Sequence, residues 1–412
     1  MNNYRIVMFF TVCLFAFMHG FMQGIPIVTS YYFENLFKLS SNDILSLYSF
    51  YFFSCIFMQV PVGILFAKYG LRKIVLTSLF IAIIGSLLHQ YSNLPTILMV
   101  SRLIIGIGFA TSYLSAIYVA MNFFSARYLV LMVGIIESVT TLGSIVAATP
   151  FYALLEKFGW HVANLMILVA LGIIFLLAYI FIREPVEKRI STAISGCSLI
   201  NELKKIITNR AVILLMLYAF LNWLIMMSFA GFWIRDYMVN LHNYSVVQSL
   251  SLSNIYWAAF LIGGLIIGGF TNTFKRLKTT AFILSNMTVV TFLIMAIPVI
   301  FNYTQLVIFC IFAGISGVCV ILSFAFIPYV TQDNSNKDMA TSIINMSIIT
   351  GGLVGQYTFG FVIYNIQPKT IYFNNPLFLN NYYLAFWIYV VASIAAWFIF
   401  LKLSRLLPKV SV

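Results

Sequence analysis

Twelve long apolar runs separated by short polar segments constrain the fold of this chain more than any other feature. A helix needs about 20 apolar residues to cross the roughly 30 Å hydrocarbon core of a bilayer, and every run reaches about that length. The chain is 62% hydrophobic and only 8% charged, whereas soluble domains are roughly 25% charged. We therefore predict an all-α polytopic membrane protein. The runs cover approximately residues 6–28, 44–67, 73–91, 96–120, 128–155, 160–183, 211–234, 251–273, 279–300, 304–331, 339–364 and 381–401.

The basic residues support this division and predict its orientation. With the N-terminus in the cytoplasm and the runs alternating in direction, 18 Lys and Arg residues fall in cytoplasmic segments and 4 in external segments. Basic residues near the ends of membrane spans are retained on the cytoplasmic side. We predict twelve transmembrane helices with both termini in the cytoplasm. Because the net charge of +13 follows the gaps between spans, we expect no nucleic acid partner.

The longest polar interval, from Arg183 to Arg210, divides the twelve runs into six and six. We predict an N-terminal six-helix bundle at 1–183, a central cytoplasmic loop at 184–210 and a C-terminal six-helix bundle at 211–412.

Two motifs carry a resemblance to a known family. The segment from Gly63 to Lys73 resembles the loop between helices two and three of the major facilitator superfamily (MFS) of secondary transporters. Its residues Gly63, Lys68, Gly70 and Arg72 match that gating-loop pattern, whereas Ala67 stands where the family has an acidic residue. The fourth run begins an R-x-x-x-G-x-G pattern at Arg102 that resembles helix four of the same family. The resemblance implies the MFS fold, with a substrate site near the midplane between the two bundles.

The glycines of the gating loop have predicted structural roles. We expect Gly63 to permit a close helix approach and Gly70 to permit a tight turn. The second half repeats this arrangement in degenerate form, because Gly268 and Gly269 precede a basic cluster that ends at Lys278.

Two ionisable residues lie within apolar runs. Arg102 is placed inside the fourth run and Glu137 about nine residues into the fifth. An arginine inside a span costs roughly 2.5–3.5 kcal/mol unless it faces a cavity or a partner. We predict an Arg102–Glu137 pair, direct or bridged by substrate, in which protonation of Glu137 frees Arg102 to bind an anionic group. The alternatives are an arginine that extends to the membrane surface and a purely structural pair.

Polar residues elsewhere in the spans are further candidates for substrate binding or proton coupling. His19 and Gln23 lie four residues apart, so they share one face of the first span, where His19 is either a binding group or a hydrogen-bonded core residue. Asn222 occupies the corresponding repeat position in the seventh span. Asn345 and Gln356 flank a glycine-rich stretch in the eleventh span, which resembles helix eleven of the family.

The fifth run departs from the antiporter motif of the family. Gly134 and Gly143 fit that motif, but Phe151 and Tyr152 stand where it has glycines. This departure favours proton-coupled uptake by symport over drug/proton antiport. An MFS exporter of a metabolite, siderophore or drug is the alternative.

The sequence therefore predicts a secondary active transporter of the bacterial inner membrane that moves a small polar or anionic organic solute by alternating access. Within the superfamily the chain is similar to uptake-type bacterial members and to relatives of lysosomal dipeptide carriers, which implies amino acids, short peptides or organic acids. Its partners are then the solute, a proton and the lipid bilayer, and we expect a monomer. Five scattered cysteines without metal-ligand spacing, and no nucleotide-binding loop or catalytic cluster, predict neither a cofactor nor a metal nor an enzyme.

Overall fold

A computed structural model describes residues 3–39, 41–92, 94–124, 129–183, 204–271, 274–331, 337–365 and 381–407. Every regular element within these ranges is a helix, and the predicted all-α class is confirmed. Most of the predicted central loop, residues 184–203, lies outside the described residues. The chain divides into two compact units, Met1–Leu199 and Ile200–Val412.

Eight helices make up the described part of the first unit. They are α1 Asn3–Gly24, α2 Pro26–Phe37, α3 Ser41–Tyr69, α4 Leu71–Tyr91, α5 Pro95–Phe109, α6 Ser112–Phe123, α7 Leu129–Ala147 and α8 Thr149–Phe181.

The described ranges of the second unit contain eight helices of nine residues or more, a short helical stretch at 204–208 and one π-helical turn, Phe229–Trp233. The helices are α9 Arg210–Ser228, α10 Ile234–His242, α11 Val246–Phe270, α12 Phe274–Met295, α13 Tyr303–Ser316, α14 Cys319–Val330, α15 Lys337–Asn365 and α16 Asn381–Leu406.

Ten stretches of the described residues are long and apolar enough to cross a membrane, as a multi-pass membrane protein requires. One of them, Gly134–Phe181, has 48 residues, more than twice the length that one crossing needs. Its backbone is non-helical at Gly159, where φ is +75°. Helix α3, with 29 residues, lies outside the ten. These features accommodate twelve crossings, but the number twelve itself stays a prediction.

Five of the predicted spans are interrupted helices, which the apolar runs did not reveal. The first breaks at Ile25 before Pro26, the fourth between α5 and α6, and the fifth at Ala148 between α7 and α8. The seventh breaks at the π-helical turn and the tenth between α13 and α14. Proline at the start of α2 has no N–H to continue the preceding helix. Four of these five, spans 1, 4, 7 and 10 in the predicted numbering, are the first of each set of three. Interrupted helices in transporters commonly surround the transported solute.

Glycines allow helices to approach closely in both units, and one pair in each unit shows the same arrangement. A Cβ on Gly143 of α7 would lie 2.0 Å from the carbonyl oxygen of Phe17 in α1. A Cβ on Gly351 of α15 would lie 2.2 Å from the carbonyl oxygen of Phe220 in α9. Small residues of this kind allow backbones to pack in membranes, where no hydrophobic force drives helices together. The pairs are spans 1 and 5 and spans 7 and 11, so the two units repeat the same packing.

The segment predicted as a loop between spans two and three is almost entirely helical. Helix α3 continues to Tyr69 and α4 begins at Leu71, so the turn consists of Gly70 alone. Its φ of +79° lies in the region that glycine adopts without strain. The tight turn predicted at Gly70 is therefore confirmed, and the longer loop is wrong. An 11-residue basic segment resembles a loop by composition, yet its basic side chains are equally compatible with helix ends.

Candidate functional site

The buried guanidinium of Arg102 is the centre of the polar cluster in the first unit. Its side chain is only 1% exposed. Nη2 donates to the carbonyl oxygen of Met22 at 3.2 Å, and the guanidinium carbon lies 5.1 Å from the ring centres of both Tyr48 and Tyr51. Within the described residues, Nε has no hydrogen-bond partner. Guanidinium carries five N–H donors, so Arg102 retains unused capacity for an acceptor.

His19 and Gln23 extend this cluster along α1. His19 Nδ1 lies 2.7 Å from the hydroxyl of Tyr51, and His19 Nε2 lies 3.0 Å from Gln23 Nε2. The same tyrosine therefore contacts His19 through its hydroxyl and Arg102 through its ring. The predicted shared face of His19 and Gln23 corresponds to a direct hydrogen bond, and both side chains are buried.

Glu137 has a different partner from the one predicted. Its Oε1 accepts a hydrogen bond from the Tyr113 hydroxyl at 2.5 Å, and the residue is half-buried. Among the described residues, the salt bridge that the structure forms is between Arg235 and Asp236 in the second unit, with Nη2 and Oδ1 3.1 Å apart. The direct Arg102–Glu137 ion pair is therefore not formed in this structure. The reason is that tyrosines surround both charged groups: Tyr48 and Tyr51 lie against Arg102, and Tyr113 binds Glu137. The periodicity of an apolar span does not predict these contacts.

In the second unit, Asn222 is a helix-internal residue with a local partner. Its Nδ2 donates to the carbonyl of Tyr218 one turn earlier at 2.8 Å, and the Tyr218 hydroxyl lies 2.9 Å from Ser285 Oγ. Asn345 is buried on α15 and has polar contacts of its own. Both side chains thus have partners.

Gln356 differs from these residues, because its backbone carbonyl has a hydrogen-bond partner and its side-chain amide has none among the described residues. The backbone carbonyl accepts a hydrogen bond from Trp233 Nε1 of the π-helical turn at 3.0 Å. The side chain is 0% exposed, and among the described residues neither its Nε2 nor its Oε1 has a partner. A buried amide left unpaired costs about 1–3 kcal/mol. The buried indole Nε1 of Trp223 likewise has no partner there.

The gating-loop residues are helix-end contacts in this structure. Arg72 donates to the carbonyl of Tyr179, in the last turn of α8, at 2.7 Å. In the second unit, Lys278 donates to the carbonyl of Ser404, in the last turn of α16, at 2.6 Å. Cations stabilise the carbonyl-rich C-terminal ends of helices. The degenerate basic cluster of the second half therefore makes the same kind of contact as its counterpart. The side chain of Lys68 and the surroundings of Gly63 lie outside what the structure describes, so the close approach predicted at Gly63 stays a prediction.

Sequence reasoning missed Tyr48 and Tyr51, whose rings pack against the Arg102 guanidinium. Their spacing of three places both on one face of α3, which is the only local signal. Because aromatic residues are 17% of the chain, such a pair does not stand out. Tyr113 and Trp223 are equally ordinary in composition, and only their contacts distinguish them.

The chain belongs to the Major Facilitator Superfamily, a family of membrane transporters. The model of that family matches residues 12–355, which is most of the chain. The two bundles of interrupted helices and the buried polar clusters agree with this assignment.

Two individual proteins show how far the similarity extends. The uncharacterized transporter YybO of Bacillus subtilis (strain 168) is 23% identical over 264 residues, covering 57% of this chain and 58% of that protein. The match thus spans little more than half the length of that relative. A solved structure of the nucleoside transporter NupG, in a mutant form, covers 96% of this chain and 99% of its own, with a TM-score of 0.71 and 16% identity. Identity this low shows a shared fold alone.

Proposed function

We propose that this protein is a proton-coupled secondary transporter that takes up a small organic solute carrying a carboxylate, such as an amino acid, a short peptide or an organic acid. The observation that carries the proposal is Arg102, a buried cation whose recorded hydrogen bond is to one backbone carbonyl. Charged residues within membrane spans are expensive and are typically functional.

A carboxylate suits the surroundings of Arg102. The Met22 carbonyl already occupies one position where an oxygen accepts from the guanidinium, and carboxylate oxygens accept more strongly and bind arginine in a bidentate manner. The rings of Tyr48 and Tyr51 lie within cation–π distance, an interaction worth about 0.5–2 kcal/mol. They would retain the cation while solute is absent. Because Arg102 is buried here, the solute reaches it in another state of the alternating-access cycle.

Glu137 is the proposed proton-coupling residue. It is a carboxyl group inside a membrane span, and its recorded partner is the neutral hydroxyl of Tyr113 rather than a cation. A carboxyl with such a partner can exchange a proton without breaking an ion pair. His19, bonded to Tyr51 and Gln23, is the second group in the cluster that can accept a proton.

Direction and location are proposed from the sequence. The altered antiporter motif favours uptake by symport, and the distribution of basic residues favours a bacterial inner-membrane protein with both termini in the cytoplasm. We also propose that the monomer is the working form.

The binding role of Arg102 is tested in proteoliposomes that contain the full-length protein. Counterflow of labelled amino acids, dipeptides and organic acids is measured for the parent and for Arg102→Lys. We expect at least about a tenfold loss for the transported solute, because lysine keeps the charge but loses the bidentate geometry. Arg5→Lys is the control, since Arg5 donates to the exposed end of α6. Equal counterflow by parent and Arg102→Lys would exclude the carboxylate role.

The coupling role of Glu137 is tested by solute-driven proton movement in the same vesicles. We expect Glu137→Gln to exchange solute without moving protons. Glu156→Gln is a matched control, because Glu156 also accepts from a tyrosine hydroxyl, that of Tyr152 at 3.1 Å, but is exposed. If Glu137→Gln still moves protons with solute, the coupling site is elsewhere. If no solute of the panel moves in the parent, export of another compound becomes the better reading.

A further inference from the structure

We infer that Gln356 and Trp223 form a hydrogen-bonding subsite in the second unit for an uncharged group that presents an N–H donor beside a carbonyl acceptor, as a carboxamide or the lactam edge of a nucleobase does. The inference rests on the proposed transport function and adds a second recognition element to it.

The first support for the subsite is the contrast between the backbone carbonyl and the side-chain amide of Gln356. The backbone carbonyl of Gln356 binds the Trp233 indole, while the amide at the end of the same side chain is fully buried and unpaired among the described residues. The fold thus uses the backbone of Gln356 for structure and leaves its amide unused. Buried polar groups in native proteins nearly always have a partner, so this amide requires one that the described residues do not supply.

Its second support is an unused donor beside the same helix. A Cβ on Gly352 would lie 3.1 Å from Nε1 of Trp223, so the unpaired indole N–H lies against bare backbone of α15. Gln356 follows Gly352 by four residues and therefore shares its face. Side chains on a helix lean toward its N-terminus, and we expect the Gln356 amide to extend toward the turn that contains Gly352.

The chemistry of the two groups defines what they bind. The amide offers one acceptor and one or two donors, and the indole offers a donor only. A ligand with adjacent N–H and C=O pairs with the amide in a bidentate manner, as glutamine does with an adenine edge. The indole N–H then donates to a remaining carbonyl lone pair. A carboxylate lacks the donor, and an alkyl group lacks both partners.

Two pairs of probes distinguish a carboxamide ligand from a nucleobase ligand. L-asparagine and L-leucine have nearly the same shape and the same α-carboxylate, but only asparagine has the carboxamide. Uridine and N3-methyluridine differ in the single N–H of the lactam edge. The probe-induced rise in the thermal unfolding midpoint of the full-length protein in nanodiscs measures each affinity. We expect the parent to prefer one member of at least one pair, asparagine or uridine, by at least about tenfold.

Variants assign that preference to the subsite. We expect Gln356→Leu to abolish the preference and to leave the probe-free unfolding midpoint unchanged or higher, because it replaces an unpaired amide with an apolar group of similar size. Trp223→Phe should reduce the preference. Trp397→Phe is the control, since Trp397 on α16 also has an indole N–H without a partner in the described ranges.

Three outcomes would overturn the subsite: a parent that discriminates in neither pair, a Gln356→Leu variant that keeps the preference, or one whose probe-free midpoint falls by several degrees. The Arg102 proposal fails separately. If uridine binds through Gln356 while no carboxylate solute depends on Arg102, the subsite holds and the carboxylate assignment is wrong.

Discussion

At the scale of single residues, one tyrosine connects the two polar groups that matter most in the first unit. Tyr51 is fully buried, its hydroxyl contacts His19, and its ring contacts Arg102. Hydrogen bonding and cation–π attraction are separable here, because a phenylalanine keeps the ring and loses only the hydroxyl. The contribution of each contact can therefore be measured at one position.

We expect Tyr51→Phe to lower the free energy of unfolding by about 1–3 kcal/mol, because a buried His19 nitrogen is left unpaired. Tyr51→Leu should lower it further, by about 0.5–2 kcal/mol, because the cation–π contact is also lost. Thermal unfolding in nanodiscs measures both effects. Tyr152→Phe, at a partly exposed site bonded to Glu156, is expected to change little. Equal losses for Tyr51→Phe and Tyr51→Leu would show that the ring does not stabilise Arg102.

At the scale of helices, glycines determine which elements can approach closely. Gly143 of α7 meets the backbone of α1, whereas Gly134 of the same helix has open space around the position of a Cβ. Both glycines match the same sequence motif, yet their surroundings differ completely. A motif match therefore does not establish that a glycine is required for packing.

We expect Gly143→Ala to destabilise the protein by at least about 2 kcal/mol, because the new methyl group would lie 2.0 Å from a backbone oxygen that cannot move independently of its helix. Gly134→Ala is the matched variant and should leave the unfolding midpoint unchanged or slightly raised, since alanine favours helix more than glycine does. Size-exclusion profiles and thermal unfolding distinguish the two. Comparable losses in both variants would mean that the α1–α7 contact is looser than the structure has it.

At the scale of the whole molecule, the distribution of basic residues predicts the orientation in the membrane. Arg5, Arg72 and Arg183 belong to segments predicted as cytoplasmic, and each contacts another element at the same end of the first unit. Arg5 bonds the end of α6, Arg72 bonds the last turn of α8, and Arg183 lies over the ring of Tyr4 in the first turn of α1. The same cations on which the predicted orientation rests therefore also contact other elements at helix ends.

We expect a fluorescent protein fused after Val412 to fluoresce in bacterial cells, because a cytoplasmic C-terminus allows it to fold. Alkaline phosphatase, which is active only outside the cytoplasm, should be inactive at the same position and active when inserted near Lys38, in a predicted external segment. Phosphatase activity at the C-terminus would contradict the predicted topology.

The prediction from sequence succeeded where the determinants are local. The membrane class follows from apolar runs of bilayer length, and the turn at Gly70 follows from a single residue that tolerates positive φ. The family resemblance carried by the Arg102 motif and the gating loop agrees with the family match. The interruptions at Ala110–Thr111 and Gly317–Val318 were not predicted, because neither position contains proline and the hydropathy of both is that of an unbroken span.

By itself, then, the sequence determined that this chain crosses a membrane many times and belongs to a transporter family. The tertiary structure alone decided which groups meet: Tyr48 and Tyr51 contact Arg102, and Tyr113 contacts Glu137. It also left the Gln356 amide without a partner among the described residues. The physical reason is the solvent. In water, an apolar stripe identifies the buried face of a helix. Lipid is as apolar as a protein core, so the lipid-facing and protein-facing sides of a span have the same apolar composition, and only the packed structure distinguishes them.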